Sequence, residues 1–549
     1  MRRPFKYKEV FLWISFALMM ILKFGYYGFE YYPVIDDWIQ YGVYPLFDNI
    51  FKDVIVRIGT YSVRPLAGLT DPYIWGRFWG NMRLPFIMIT MLHIASGIMI
   101  RRVLAFNRIN SSLIFLIFFG ILPLGFEATY WISAASRIVV GLFFMTLSLL
   151  LLCYLIFSSK RSGNIFIHQN RIFMFVAFFV TQLISFGFYE QVAVLSFFSA
   201  MMIVFANWKA IKNKWVAALP IINLMIIMGY YFMFSRTGSF GGRSQTINAN
   251  DNFWVQMGET WSGISDLWSI AHFPLYRNGF MRGIGVLINN HSYLYMVAIL
   301  IASGIAAYVF LRIDENNTIK TDSIKLLVGL LLFMVPYIPH LMLKDIWISN
   351  RNAFSSFIGF ALVIEAIADI LLRKSMYKTI KSVLVGYLVF IFIVVNISEL
   401  TDYRQVSRVD LTIGKNILES YKNMGKPQGN QKSLLFGTAS AYVVQNAYYH
   451  EHILNITDSD WALTGGVRAI SGNPAFPYTT PIAANKPFPL NEVILEEYIL
   501  FGIDREFDVF PLDVLRHKGD PIKLVTEAGQ IYGQIEEKSN GIYVFKYAK

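Results

Sequence analysis

Apolar runs recur along the first 400 positions, separated by shorter polar or charged stretches, and near Leu400 this pattern gives way to the mixed composition of a water-facing domain. About eleven of the runs have the roughly 15 to 20 residues that an α-helix needs to cross the hydrocarbon core of a bilayer. They are Val10 to Phe29, Leu84 to Ile100, Ser111 to Phe126, Ile138 to Phe157, Ile172 to Phe186, Val192 to Ala206, Trp215 to Phe234, Tyr293 to Leu311, Leu326 to Pro339, Ala353 to Leu372 and Ser382 to Ile397. Each predicts a helix. Beyond Leu400 the chain reads as a small α/β domain of roughly 150 residues. There Val406 to Asn423 is helical in pattern, Ser433 to Gly437 reads as a strand, and Gln530 to Ile535 pairs with Ile542 to Phe545 across Lys538-Ser539-Asn540-Gly541. The expected division is a helical domain over 1–399 and an α/β domain over 400–549.

Two connections are much longer than the rest, Tyr31 to Arg83 and Ser235 to Ser292. In the first, Pro33 breaks a helix and Asp36 or Asp37 caps a new one. The aromatic-rich stretch Trp38 to Tyr44 suits the headgroup level of a membrane, and Phe51, Val54, Ile55 and Ile58 mark an amphipathic interfacial helix. Asp71-Pro72 then starts the helix that becomes the second run. The second connection opens with Arg236, Gly238, Gly241, Gly242 and Arg243 and continues through polar Ser244 to Asn252, which reads either as a lid or as a solvated linker.

Composition sharpens the class. With 55% hydrophobic and 15% charged residues over 549 positions, too little polar surface remains for a soluble globule, and a polytopic α-helical membrane protein follows. The connections sort by charge. One set is basic: Arg2, Arg3, Lys6 and Lys8; Arg101, Arg102 and Arg108; Lys160, Arg161 and Arg171; Lys209, Lys212 and Lys214; Arg312, Lys320 and Lys325; Arg373, Lys374, Lys378 and Lys381. The short connections of the other set hold only Arg137, Lys344 and Arg351. By the positive-inside rule the N-terminus lies in the cytoplasm and everything after Ile397 outside it. The net charge of +12 is then a consequence of topology, and no nucleic-acid partner is needed to explain it. The first run lacks a small-residue cleavage site, and Lys23, Phe24, Tyr26 and Tyr27 mark it as a retained helix. Cys153 stands alone, so neither a disulfide nor a cysteine metal site is expected.

Candidate chemistry concentrates on the outer side. Asp36 and Asp37 follow the first run. Successive residues at a helix start point in different directions, so one can cap while the other faces a cavity and takes a proton from an attacking hydroxyl. Gln40 lies one turn from Asp36 and can orient it. The plain alternative is a pair of capping or solvated aspartates. Short corners carry Glu127, Tyr130, Trp131 and Arg137, then Tyr189, Glu190 and Gln191. Glu190 interrupts an apolar stretch from Ile172 to Ala206 and reads as a catalytic residue, as an interfacial turn residue or as a structural partner for Arg137. Arg64, Arg137, Arg236, Arg243, Lys344 and Arg351, with His340 nearby, are candidates for binding a phosphate, whose oxygens match the guanidinium fork. Trp38, Tyr41, Tyr130, Trp131 and Tyr189 could stack on sugar rings, or serve simply as core and interfacial belt. No metal-ligand cluster, phosphate-binding glycine loop or serine triad is present in the sequence, so no cofactor is called for.

The strings Val34-Ile35-Asp36-Asp37-Trp38, Ser62-Val63-Arg64-Pro65-Leu66 and Tyr189-Glu190-Gln191 are similar to those of bacterial members of the GT-C glycosyltransferases. The arrangement of most of the chain resembles that superfamily too, with acidic residues after the first span, long outer loops after spans one and seven, and a C-terminal outer domain. The resemblance implies an integral membrane enzyme that moves a sugar from a polyprenyl-phosphate carrier to a cell-envelope glycan or lipid acceptor. Asp36 or Asp37 would then be the general base or acceptor-positioning residue, and outer arginines would meet the carrier phosphate. Some relatives with diphosphate donors use a divalent metal, for which this sequence offers no clear ligand set. The rival readings are an O-antigen or capsule polymerase, a polysaccharide or lipid transporter, and a non-catalytic receptor.

Overall fold

The computed structural model describes residues 6–57, 64–157, 165–211, 213–235, 253–269, 273–312, 319–342, 348–373, 377–424, 431–439, 454–489, 495–516, 521–539 and 541–548. The chain divides into two units. The first comprises Met1–Tyr31, Ile55–Thr70 and Met82–Leu400, and the second Tyr32–Val54, Asp71–Asn81 and Thr401–Lys549. The first long connection is therefore split between them, and two of its segments are built into the same unit as the C-terminal domain.

Among the described residues, eight helices are long and apolar enough to cross a membrane by length and composition, all of them in the first unit except that the last, Tyr377–Asn423, runs on into the second. A ninth would be formed by Leu113–Gly120 and Pro123–Tyr130, which meet at 43°, and Ile172–Phe186 and Glu190–Ala206 are shorter apolar helices. The runs expected from the sequence thus fall largely on helix, and the α-helical class is observed, with eight of the eleven expected spans long enough by themselves, or nine with the bent pair. The bend has a physical origin in Pro123, which cannot donate a backbone hydrogen bond. Carbonyls released at such a break need other donors. Lys23 Nζ donates to Gly120 O at 3.1 Å and to Thr129 Oγ1 at 2.9 Å, and Asn396 Nδ2 donates to Ile121 O at 2.8 Å. Helices Ile319–Met334 and Phe357–Leu371 approach closely, since a Cβ on Gly359 would lie 2.1 Å from Phe333 N and 2.5 Å from Gly329 O. Near the ends of these helices, Lys325 Nζ bridges Glu365 at 2.8 Å and Asp369 at 3.0 Å, and Lys381 Nζ meets Asp369 at 3.0 Å, so the buried charges are paired. The second long connection contains helices Phe253–Leu267 and Phe273–Asn289. Its stretch Arg236 to Asn252, read as lid or linker, lies outside the described residues.

The helix Tyr377–Asn423 has 47 residues and is thus ~70 Å long, more than twice a bilayer core. Its apolar part ends near Ile397, and its remainder from Thr401 belongs to the second unit. That unit is organised around an eight-stranded sheet: β1 Ser433–Thr438, β2 Thr479–Ala483, β3 Pro487–Pro489, β4 Ile499–Ile503, β5 Val509–Leu515, β6 Ile522–Thr526, β7 Ile531–Ser539 and β8 Ile542–Tyr547. The order is β2-β1-β4-β5-β6-β7-β8-β3. Fully buried β1 pairs in parallel with β2 and β4, and every other pairing is antiparallel. The expected β7–β8 hairpin is present, with Ile535 opposite Phe545. The sheet curls on itself: Tyr547 OH on β8 donates to Gly437 O next to the end of β1 at 2.6 Å, around a core that includes Phe436, Leu500, Leu524, Ile535 and Phe545. The helix Asp460–Ser471 connects β1 to β2 and carries the short helix Asp36–Gln40 on its surface. Gly465 permits this seating, since a Cβ there would come within 2.1 Å of Ile39 Cγ1.

Candidate functional site

Two polar clusters hold most of the residues singled out above, one in each unit. In the first unit, the corner between Ile165–Phe186 and Glu190–Ala206 is built by Gly187, whose missing side chain admits Leu66, while Leu66 N–H donates to Gly187 O at 3.0 Å. This clamp fixes the segment that carries Arg64. Its Nε–H is shared between Glu190 Oε1 at 3.1 Å and Oε2 at 2.9 Å, and the guanidinium lies 4.3 Å from the centre of the Tyr189 ring. Only Nε serves Glu190, so among the described residues the two terminal nitrogens of Arg64 take no hydrogen-bond partner. Glu190 opens its helix, where a carboxylate is favoured by the backbone dipole. Its hydrogen-bond partner is Arg64; Arg137, one of the alternatives left open by the sequence, lies with Tyr231 in electrostatic range of the pair.

Around this pair, Tyr189 OH donates to Asn352 Oδ1 at 2.8 Å, and Gln191 Nε2 lies 2.8 Å from His340 Nε2. Gln191 Oε1 and His340 Nδ1 are buried and have no hydrogen-bond partner. Buried polar atoms left in that state are costly and point to water or a ligand group at this place. Asn352 and Tyr231 escape a sequence reading because each lies within or beside an apolar run with no local motif.

Other expected groups are placed differently. Arg351 sits 5.5 Å from the Trp131 ring centre. Trp131 and Tyr130 are fully buried, and Tyr130 packs on Phe126 at 5.2 Å and on Phe86 at 5.0 Å while its hydroxyl meets Glu30 O at 3.3 Å. Protein covers these rings, so neither offers a face to a sugar. Arg236, Arg243 and Lys344 lie outside the described residues.

The second cluster begins at a strained turn. Ile35 has φ 36° and ψ −96°, a conformation that β-branched residues avoid at a cost of about 1–3 kcal/mol. The turn is closed by a reciprocal pair: Asp37 N–H donates to Val34 O at 2.9 Å, and Val34 N–H donates to Asp37 Oδ2 at 3.0 Å. Asp37 is buried in this structural role, whereas Asp36 is half-buried, with Gln40 one turn further along the same short helix. Trp38 is buried against Trp79 at 5.4 Å and stands beside Asp410. Asp410 Oδ1 accepts from Ile456 N at 2.9 Å and Asn455 Nδ2 at 3.2 Å. Burial pushes its carboxyl up to about 7, against the opposing pull of these donors and of Trp38. Asp410 went unnoticed in the sequence because Val406 to Asn423 reads as an ordinary helix.

Among the described residues, no group of three or more His, Cys, Asp or Glu side chains is placed to hold a metal ion. Comparison with known protein families, curated proteins and solved structures returns no match.

Proposed function

We propose that this chain is a membrane glycosyltransferase of the GT-C kind, which moves a sugar from a polyprenyl-phosphate carrier to a cell-envelope glycan or lipid on the outer side of the membrane. The observation that carries the reading is Arg64, oriented through Nε by Glu190 and over Tyr189, with both terminal nitrogens unengaged. That fork suits two oxygens of a phosphate. Glu190 is then a positioning residue for Arg64, and Gln191 and His340 offer two further unpaired polar atoms to the same ligand.

In the proposed reaction an acceptor hydroxyl attacks the anomeric carbon through an oxocarbenium-like transition state. A new carbon–oxygen bond forms, the bond to the carrier phosphate breaks, and its electron pair leaves on the phosphate. Arg64 stabilises the charge that develops there. The hydroxyl proton passes to a general base, the role that the sequence resemblance gives to Asp36 of the second unit, whose turn Asp37 holds. The charge pattern supports a cytoplasmic N-terminus and an outer C-terminal unit, and a carrier at the outer membrane face can keep its tail in lipid.

The test is an in vitro assay with short-chain polyprenyl-phosphate sugars. Transfer is expected in the wild type, with a loss of about 10²–10³-fold in Arg64→Gln and about 10²–10⁴-fold in Asp36→Asn. Turnover that survives both substitutions would remove the proposed mechanism. A transporter is the second reading, favoured by the buried Lys23 at a broken helix. Movement of a labelled carrier-linked sugar across vesicles without transfer would select it.

A further inference from the structure

A cavity of about 460 Å³ lies within the C-terminal sheet unit, over the ends of β1 and β2, and none of the site candidates above lines it. Its size is typical of small-molecule pockets. Its place is at the carboxyl ends of the parallel strands β1 and β2, where Thr438 ends β1 and Thr480 to Ala483 belong to β2. The N-terminus of the Asp460–Ser471 helix meets the same space, since Ser459 and Asp460 are among its lining residues.

Two side chains on this wall point to a missing partner. Thr438, the last residue of β1, is only 2% exposed, and its Oγ1 has no hydrogen-bond partner among the described residues. Ser459 occupies the cap position of the helix without a side-chain cap bond, and its buried Oγ is likewise unpartnered. A buried hydroxyl left alone forfeits on the order of 1–3 kcal/mol, which a ligand able both to donate and to accept would restore. The lining also has an apolar part, formed by Phe488 with Pro481 and Pro487. Charge narrows the choice. Asp458 and Asp460 outnumber Lys486 among the lining residues, which disfavours a phosphate or a carboxylate. Hydroxyls, carboxylate acceptors and an apolar wall together match a polyol ring with a polar rim and a carbon–hydrogen face.

We propose that this cavity binds a neutral saccharide unit, held by Thr438 and Ser459 and stacked on Phe488. Binding stands without the transferase reading, and only a role for the bound sugar as part of the acceptor glycan rests on it.

The full-length protein in detergent or nanodiscs, with no donor present, is tested by saturation-transfer NMR against glucose, galactose, mannose, N-acetylglucosamine and their short oligomers. At least one of these is expected to bind the wild type. Thr438→Val is expected to weaken that binding by about tenfold, the effect of one lost buried hydrogen bond, with no fall in the melting temperature of the free protein. Ser459→Ala gives the same comparison if the valine variant does not fold. Inorganic phosphate should not displace the sugar. The proposal fails if no sugar in the panel binds, if both hydroxyl variants bind like the wild type, or if phosphate competes. Arg64→Gln, which disables the proposed transfer, should bind sugar normally, so the two readings can fail separately.

Discussion

The Arg64–Glu190 pair gives the sharpest test of how the first unit builds its polar cluster. The perturbation is a double-mutant cycle of Arg64→Gln, Glu190→Gln and both together. The two side chains are 20% and 29% exposed, and the separation is 2.9 Å. Fully exposed pairs couple by roughly 0.2–1 kcal/mol, whereas breaking a fully buried pair costs about 3–5 kcal/mol. Partial solvent access places this pair between those limits, at about 1–2 kcal/mol of coupling. Glu190→Gln should be the more damaging single change, because it strands a guanidinium among Arg137 and apolar helix ends. The double variant should regain part of that loss. Unfolding of the purified protein by heat, at one fixed scan rate and followed by intrinsic fluorescence, reads the effect as a shift of about 2–4 °C per kcal/mol. Arg64→Lys restores the charge but not the fork, so it should recover stability and not phosphate binding. If the single changes add to within about 0.5 kcal/mol, the two residues are neighbours without energetic consequence, and Glu190 cannot be what orients Arg64.

Asp410 should make the second unit lose stability as pH rises. Its folded carboxyl sits at about 7 and its ordinary value is 3.8, so the folded state holds the extra proton, and the loss runs between those two values and levels off above pH 7. Asp410→Asn should flatten that slope in pH-dependent denaturant unfolding; an unchanged slope would refute the assignment. Gly359→Ala should cost at least about 1–3 kcal/mol by forcing a Cβ against the backbone of the neighbouring helix, visible as early heat-induced aggregation on size-exclusion chromatography, and an alanine variant as stable as wild type would contradict the close approach. Gly465→Ala should destabilise the wild type through Ile39 but stabilise an Ile39→Ala background, where only the better helix propensity of alanine, up to about 1 kcal/mol, remains. Equal effects in the two backgrounds, measured by urea unfolding, would mean that Asp36–Gln40 does not dock on that helix.

How much of this a reader of the chain could foresee depends on the range of the forces involved. Helices in the apolar runs were visible because a long unbroken apolar stretch leaves few alternatives, and the β7–β8 hairpin because its turn and alternation are local. Strands β2 and β3 were not, since Pro481, Pro487 and Pro489 argue against a sheet. Both lie at the two ends of the strand order, the edge positions where proline is tolerated. The partner of Glu190 was not legible for a similar reason: Arg64 is 126 residues away, and only the seating of Leu66 on Gly187 brings it near. At the aspartate pair, two successive residues at a helix start point in different directions, but nothing local decides which of them closes the turn. Val34 decides that by donating to Asp37. The consequence is that Asp36 depends on its neighbour. Removing the Asp37 carboxylate would leave the strained Ile35 backbone without one of its two closing bonds, so Asp37→Asn should impair the chemistry assigned to Asp36 even though Asp37 itself never meets the substrate.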